Sequence, residues 1–156
     1  MKISLMRDNE IPQCAMLVQD NWGPVAADRF MEQAYIGMGN GKYAPKFFVA
    51  HLFDDPTNNT EQRGIIGFAA YQRTMRMHGA FDLIWLAVHE QYQGKGVGDA
   101  LTWHRLDEIK KNADAMNVSL VTQKPKYFNR FGFTTAAHLG NDWVEMSLIL
   151  KLAGMS

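Results

Sequence analysis

The residues best suited to chemistry form a glycine-rich run at positions 93–98, with the sequence Gln-Gly-Lys-Gly-Val-Gly. Glycine allows positive φ angles and lets a ligand approach the backbone closely. A run with glycine at every second position can therefore direct several N–H donors at one anion. The run follows an apolar segment that ends at Val88 and precedes a helical pattern. Because a helix that begins here adds unpaired N–H groups and the positive end of its dipole, the spacing predicts a pyrophosphate site.

Two common phosphate loops fit this run poorly. A Walker loop requires Gly-Lys followed by Ser or Thr, whereas Lys95 is followed by Gly96, which has no hydroxyl to bind magnesium. The dinucleotide fingerprint is Gly-x-Gly-x-x-Gly near the start of a parallel sheet, whereas this run has Gly-x-Gly-x-Gly in mid-chain. From the residues alone, a flexible glycine turn without a ligand is the alternative.

Two motifs resemble signatures of the GNAT acetyltransferase superfamily. The first is Leu-Ala-Val at 86–88 followed, after a polar spacer, by Gln-x-x-Gly-x-Gly at 93–98, which is similar to the acetyl-CoA signature of that superfamily. The second is Tyr-Phe-Asn-Arg-Phe-Gly-Phe at 127–133, which resembles its closing motif. The resemblance covers residues 80–137 and the motifs have the order and spacing of the superfamily.

The resemblance implies an α/β (α+β) fold with a mixed six- or seven-stranded sheet and helices on both faces. It implies that the strands ending at Val88 and beginning at Val118 splay apart, with the pantetheine arm of acetyl-CoA in the gap. The implied activity is transfer of an acetyl group from acetyl-CoA to a primary amine by direct attack in a ternary complex. A non-catalytic acyl-CoA-binding module of the same fold is the alternative.

The resemblance also assigns donor binding to particular residues. The Val88 N–H would face the thioester carbonyl, and the N–H groups of the glycine run would bind the pyrophosphate. Lys95 would add charge, or it could be a solvated lysine that contacts nothing. The expected acetyl-CoA-binding residues are Leu86, Ala87, Val88, Gln93, Gly94, Lys95, Gly96, Val97, Gly98, Asp99 and Phe128.

Acetyl transfer to an amine benefits from a base, because an alkylamine with a pKa of about 10 is almost wholly protonated near neutral pH. Asp82 is the one carboxylate in the apolar run at 81–88. In several members of the superfamily a glutamate at the corresponding position acts as the base, so the resemblance makes Asp82 the candidate. The alternative is a strand-entry residue bonded to backbone or solvent. His89 and Glu90 are further candidates.

The superfamily often uses a tyrosine on a short helix to protonate the departing CoA thiolate. Here Phe128 holds that position and has no proton to donate. Tyr127 precedes it, and a helix places it about 100° away, so we expect it to point elsewhere. Tyr127 is nevertheless the remaining candidate acid.

Composition limits the partners of this chain of 156 residues. Lys plus Arg and Asp plus Glu number 16 each, so neither nucleic acid nor an anionic membrane is an expected partner. Cys14 is alone, which excludes an internal disulfide and a cysteine-rich site, and no metal is expected. Because neither a signal peptide nor a membrane span is apparent, we expect a single cytoplasmic domain over residues 1–156. The expected acceptor is a small-molecule amine or a protein amino group.

Periodicity and turn residues predict the elements that position these motifs. A first helix capped by Asn9 or Asp8 runs through Val18, and a second covers residues 26–36. The helix after the glycine run carries Leu106, Ile109, Ala113 and Met116 on its apolar face, with Arg105 among the polar residues between them. A short helix covers residues 124–130. Predicted strands cover residues 2–6, 47–52, 64–73, 81–88, 118–122, 133–137 and 144–150, with a turn at 54–59.

Two further expectations concern surfaces. The aromatic side chains that could line an acceptor pocket are Trp22, Phe30, Tyr35, Tyr43 and Tyr71, although aromatics at such spacing are usually core residues. A homodimer is possible, with the strand at residues 144–150 as a candidate edge.

Overall fold

The structure is a computed structural model that describes residues 1–39, 41–52 and 64–151. Within these ranges it contains seven strands and four α-helices. The strands are β1 (Lys2–Leu5), β2 (Lys46–His51), β3 (Ile65–Arg73), β4 (Ala80–Val88), β5 (Asn117–Thr122), β6 (Thr134–Gly140) and β7 (Trp143–Ile149). The helices are α1 (Ile11–Trp22), α2 (Pro24–Gly37), α3 (Val97–Lys110) and α4 (Pro125–Asn129). The turn predicted at residues 54–59 lies outside the described residues.

The strands form one mixed sheet in the order β1-β2-β3-β4-β5-β7-β6. All neighbouring pairs are antiparallel except β4 and β5, which are parallel and connected through α3. The parallel pair was expected, because a strand, helix, strand order forms a right-handed crossover. The predicted fold class is therefore confirmed.

A hydrophobic core covers each face of this sheet. On one face, α1 and α2 bury Phe30, which packs against Phe68 and Phe47 with ring centroids 4.7 and 5.6 Å apart. On the other face, α3 buries Leu101 and Ile109 completely. The helices thus fix β4, the strand between them, from both sides.

The strands β4 and β5 separate after a short paired segment. Their register joins only Ala80 to Asn117, Phe81 to Val118, and Asp82 to Ser119. Beyond Asp82, β4 pairs with β3 on one edge and has no pairing with β5 on the other. The predicted splay is confirmed, and it opens a wedge-shaped gap in the middle of the sheet.

The helix after the glycine run is shorter than its pattern predicted. It ends at Lys110, and the Asn112 amide donates to the carbonyl oxygens of Glu108 and Ile109, so the chain turns there. The predicted positions of Ala113 and Met116 on the apolar face of this helix are therefore wrong. The prediction that Arg105 belongs to the polar surface is also wrong, because its side chain is completely buried.

Two other expectations are corrected at the ends of the chain. The first helix begins at Ile11 after a 3₁₀ turn at Asp8–Glu10, so neither Asn9 nor Asp8 caps it. The strand predicted as an edge at residues 144–150 corresponds to β7, which pairs with β5 and with β6. The outer strand at this end of the sheet is β6, which pairs with β7 alone among the described strands, and all seven of its residues are exposed. Among the described helices, none has the length and apolar character needed to cross a membrane.

Candidate active site

The gap between β4 and β5 is the mouth of a cleft of about 990 Å³. Its walls are the carboxyl-terminal half of β4, the end of β5, the helix α4 and the first turn of α3. The cleft therefore joins the glycine run at one end to the splayed backbone at the other. An extended molecule with an anionic end would fit this arrangement.

The glycine run presents free N–H donors to the cleft. Gly94 and Gly96 have φ angles of 73° and 87°, which explains the requirement for glycine at both positions. The backbone N–H groups of residues 94–99 donate to no acceptor among the described residues, and α3 begins at Val97. Asp99 lies in this first turn, and its carboxylate pairs with Arg130 at 2.5 Å, which offsets its charge near the donors. The loop is thus built to bind an anion.

A bulge interrupts β4 before it reaches the cleft. The register with β3 joins Ala70 to Ile84 and Ala69 to Leu86, so Trp85 is an extra residue. Its φ angle is 48°, in the left-handed region that bulky residues rarely adopt. In a regular strand, successive residues direct their side chains and backbone groups to alternate sides. One inserted residue therefore reverses these directions for every residue that follows it.

After the bulge, the backbone groups of two residues face the cleft. His89 donates its N–H to Ile66 of β3 over 2.8 Å, and in an antiparallel pair alternate residues face the partner strand. Ala87 therefore also faces β3, whereas Leu86 and Val88 direct their N–H and C=O groups toward β5 and the cleft. The Val88 N–H is therefore directed into the cleft, and its contact with a thioester carbonyl stays a prediction.

The cleft brings together most of the predicted donor-binding residues. Those that line it are Leu86, Ala87, Val88, Gln93, Gly94, Gly96, Gly98, Asp99 and Phe128. Two others have side chains elsewhere: the Lys95 ammonium lies 5.6 Å from the centre of the Tyr92 ring, and Val97 is buried in the core. The Gln93 amide donates to the Val88 carbonyl over 3.0 Å, so its side chain links the loop to the end of β4.

Asp82 lies on the other face of the sheet, toward α2. It lines a second cavity of about 420 Å³ with Gln33, Arg76 and Glu145. The Asp82 carboxylate is 3.4 Å from the Arg76 guanidinium and its side chain is 29% exposed. Burial raises the pKa of Asp82 above its usual value, Arg76 opposes this shift, and Glu145 adds to it. The two cavities share residues of β4 and β5, so Asp82 lies beside the base of the cleft.

His89 and Glu90 lie at the start of the loop after β4. His89 accepts a hydrogen bond from the Gln91 N–H through its Nδ1 atom, so it stabilises the local turn. Glu90 is exposed. Neither residue lines either cavity.

The rings of Tyr127 and Phe128 on α4 contact each other edge to face, with centroids 4.8 Å apart and an interplanar angle of 85°. Both rings line the cleft, but the Tyr127 hydroxyl is directed at α3, 3.0 Å from where a Cβ on Gly98 would lie. The hydroxyl is buried and has no hydrogen-bond partner among the described residues. Burial, with a contribution from Asp99, raises the pKa of Tyr127 to about 12, so the hydroxyl stays protonated near neutral pH.

Comparison with protein families identifies the chain. A family model described as an acetyltransferase (GNAT) domain matches residues 46–135, which is more than half of the sequence. The chain belongs to the GNAT acetyltransferase family. It is accordingly an N-acetyltransferase. A search of functionally curated proteins found no match.

Solved GNAT structures share this fold over nearly the whole chain. One is described as a GNAT-family acetyltransferase from Desulfovibrio desulfuricans (TM-score 0.72, 23% identity, 96% of this chain and 100% of that chain). Another is an aminoglycoside 6′-N-acetyltransferase complexed with coenzyme A (0.74, 14%, 99% and 100%). A third is the ribosomal-protein-S18-alanine N-acetyltransferase from Escherichia coli (0.69, 20%, 98% and 96%). At these identities the similarity establishes the fold alone.

Two residues of this GNAT site were missed in the sequence. Arg105 lies beneath the bulge of β4, and its buried guanidinium donates to main-chain oxygens there. Its place among charged residues of α3 suggested a solvent-exposed side chain. Trp85 lines both cavities, and its indole N–H donates to the Gln33 side chain of α2 over 2.7 Å. Only its position as a large aromatic residue among the aliphatic residues at 83–88 could have indicated a special role.

The predicted acceptor aromatics are mostly not in this GNAT cleft. Trp22 lines the cleft and packs near Trp85 with ring centroids 6.1 Å apart. Phe30 and Tyr71 belong to the core, as their spacing also suggested. The two remaining candidates, Tyr35 and Tyr43, are exposed and line neither cavity.

Proposed function

We propose that this GNAT enzyme uses acetyl-CoA as its donor and a primary amine as its acceptor, in a ternary complex. The observation that carries the proposal is the row of N–H groups at residues 94–99, which have no acceptor in the described part of the chain and lie at the end of a cleft that continues into splayed strands. Such donors match a pyrophosphate, and an exposed strand backbone matches the amide groups of pantetheine. Both ligand features occur in coenzyme A.

In this proposal the chain holds the donor mainly through its backbone. The N–H groups of the glycine run and of the first turn of α3 bind the pyrophosphate, and Gln93 fixes the loop to β4. Leu86 and Val88 offer N–H and C=O groups to the pantetheine amides. The Val88 N–H then stabilises the negative charge that develops on the thioester oxygen. Phe128 packs against the donor from α4.

The acceptor amine approaches from the α2 face, where Asp82 lies in the second cavity. Asp82 accepts the amine proton directly or through water, and the amine nitrogen forms a bond to the acetyl carbon as the C–S bond breaks. The departing thiolate then needs a proton, for which Tyr127 is the candidate donor. Its raised pKa of about 12 keeps that proton in place near neutral pH.

The acceptor class follows from the same cavity. Two carboxylates, Asp82 and Glu145, face one arginine there, which suits a cationic amine. Similar folds belong to enzymes whose names specify aminoglycosides and an alanine of a ribosomal protein. We therefore propose a small-molecule amine or a protein amino group as acceptor. A cytoplasmic location is part of this proposal and is tested by fractionating cells that express the tagged chain.

A homodimer through β6 is a separate proposal. This outer strand has one edge without a partner among the described residues, and its seven residues are exposed. An unpaired edge can add a strand from a second copy. Light scattering on the purified chain measures the mass and would contradict the dimer if only monomer were found.

The test of donor binding is Gly96→Val, with Gly140→Val as its matched control. Both glycines have similar positive φ angles, 87° and 93°, and a Cβ at either position meets no protein atom within 4 Å. The backbone strain should therefore be similar in the two variants. Only Gly96 lines the cleft, so only there would the added methyl groups occupy the phosphate site.

Calorimetry with CoA should show normal affinity for the control and a loss of about 10- to 100-fold for Gly96→Val. That range corresponds to losing one charge-assisted hydrogen bond, at roughly 1.5–3 kcal/mol. Equal affinity in both variants would remove the glycine run from the site. An absence of CoA binding by the unaltered protein would refute the donor proposal itself.

A further inference from the structure

The bulge in β4 is held by a buried cation that has no carboxylate partner among the described residues. Arg105 of α3 is 1% exposed. Its Nη1 atom donates to the carbonyl oxygens of Ala70, Ile84 and Trp85 at 3.0, 3.3 and 3.3 Å. One of these carbonyls belongs to the inserted residue Trp85, and the other two belong to Ile84, which precedes it on β4, and to Ala70, the partner of Ile84 on β3. The guanidinium therefore links β3 to β4 by hydrogen bonds at the bulge.

The other two nitrogens of the same side chain also donate to neutral oxygens. Nε donates to the Leu101 carbonyl and Nη2 to the Thr102 hydroxyl, both at 3.3 Å. Burying a charge is costly unless hydrogen bonds compensate, and an apolar side chain would fill this space at lower cost. Burial also lowers the pKa of Arg105, to about 9. The cost of burying this charge is thus offset by hydrogen bonds to the carbonyl oxygens at the bulge.

The bulge decides which backbone groups face the cleft. Before it, Thr74 donates its N–H to Ala80 over 3.0 Å, so the even-numbered residues of β4 face β3. Without an inserted residue this alternation would continue, and Leu86 and Val88 would direct their N–H and C=O groups at β3. With the bulge they face the cleft instead. The contacts proposed for pantetheine and for the thioester therefore depend on this one register change.

We propose that Arg105 is a positioning residue for acetyl transfer, because it holds the bulge that directs the backbone groups of Leu86 and Val88 into the cleft. The inference rests on the proposed function, since it assigns a use to those groups. Arginine suits the position because its planar fork reaches several carbonyls at once. A lysine ammonium is a single point charge and cannot span the same set of acceptors.

The test compares Arg105→Met and Arg105→Lys with the unaltered enzyme, using two ligands. Coenzyme A contacts both the glycine loop and β4, whereas 3′-phospho-ADP lacks pantetheine and contacts the loop alone. We expect Arg105→Met to weaken CoA binding about tenfold, as the loss of roughly one net backbone hydrogen bond implies, with 3′-phospho-ADP binding unchanged. The kcat with acetyl-CoA should fall as well, with Arg105→Lys between the two.

Ile109→Ala is the matched control, because Ile109 is fully buried on the same helix but lies away from the bulge. It should lower the thermal stability while leaving the ratio of the two affinities unchanged. A second readout is the indole N–H resonance of Trp85, which should shift in the Arg105 variants and not in the control. This signal reports on the bulge in any variant that folds, so Arg105→Lys suffices if Arg105→Met does not fold.

Equal weakening of both ligands would overturn the inference, since it would indicate a general disturbance of α3. Unchanged CoA affinity and kcat in Arg105→Met would overturn it too, since the bulge would then persist without the hydrogen bonds from Arg105. Neither result would affect donor binding by the glycine loop. That proposal is tested separately, by CoA binding to the unaltered protein and by the comparison of Gly96→Val with Gly140→Val.

Discussion

Replacing Asp82 with asparagine tests the proposed base with little change in shape. The side chain is partly buried, and its one ion pair within the described ranges is with Arg76, which is 75% exposed and can return to solvent. We therefore expect the variant to fold, with a change in unfolding free energy within about 0.5 kcal/mol. Any kinetic effect then reports on the carboxylate itself.

The size of the effect should depend on pH. At pH 7 an alkylamine with a pKa of about 10 is neutral in roughly one molecule in a thousand, so an enzyme without a base depends on that fraction. A positioned base contributes about 10²- to 10⁴-fold. We expect the lower end, about 10²-fold in kcat/KM at pH 7, because Asp82 is only partly buried and shares its charge with Arg76.

The difference should shrink as the pH rises. The neutral fraction of the free amine increases about tenfold per pH unit, and the activity of Asp82→Asn should increase with it. The unaltered enzyme, whose base is already ionised, should change little over the same range. The two activities should therefore converge near pH 9, or about two units above neutrality.

The assay is release of CoA thiol from acetyl-CoA with a panel of primary amines, measured from pH 4 to pH 9 so that the acidic limb of the profile is included. A loss that is the same at every pH would refute the reasoning, since it would indicate a binding or packing role. An unchanged rate would exclude Asp82 as the base. Arg76→Gln is the companion variant: Arg76 lowers the pKa of Asp82, so its removal should move the acidic limb of the pH profile to higher pH.

Two further predictions concern Tyr127 and the pair formed by Arg73 and Asp114. Tyr127→Phe should lower kcat without changing CoA affinity if the hydroxyl is the acid, whereas altered CoA affinity would show that it supports the loop beside Gly98. A hydrogen bond from Arg73, at 2.6 Å, lowers the pKa of Asp114. Its stabilisation is thus present above the ordinary aspartate value of about 4 and is lost as the pH falls through the lowered pKa. Urea unfolding should therefore show Asp114→Asn to be less stable at pH 7, with a difference that disappears in acid; a constant difference would contradict this assignment.

The sequence determined the parts of this protein that depend on neighbours along the chain. Glycines at 94 and 96 indicated a loop with positive φ angles, and both adopt them. The apolar run before the loop indicated a strand, and the order of strand, helix and strand indicated a parallel pair. Local conformation and connection order are set by residue type and spacing, so a single sequence contains them.

The buried position of Arg105 could not be predicted from its neighbours along the chain. Charged neighbours in α3 favour an exposed side chain, and nothing local indicates that three carbonyls from two strands meet beneath this residue. The same holds for Trp85, whose inserted position is defined only by its pairing with β3. The length predicted for α3 was wrong because Asn112 hydrogen-bonds to the last turn and ends it.

By itself, then, the sequence specified a glycine loop at a helix start and the alternation of strands and helices, and it offered candidate residues for acetyl transfer. Only the tertiary structure decided which backbone groups of β4 enter the cleft, which face holds Asp82, and that β6 rather than β7 is the outer strand at its end of the sheet. The physical reason is that strand register and neighbour order arise from contacts between distant segments. One inserted residue in β4 reverses the directions of the side chains and backbone groups that follow it. The insertion is defined only by the pairing of β4 with β3.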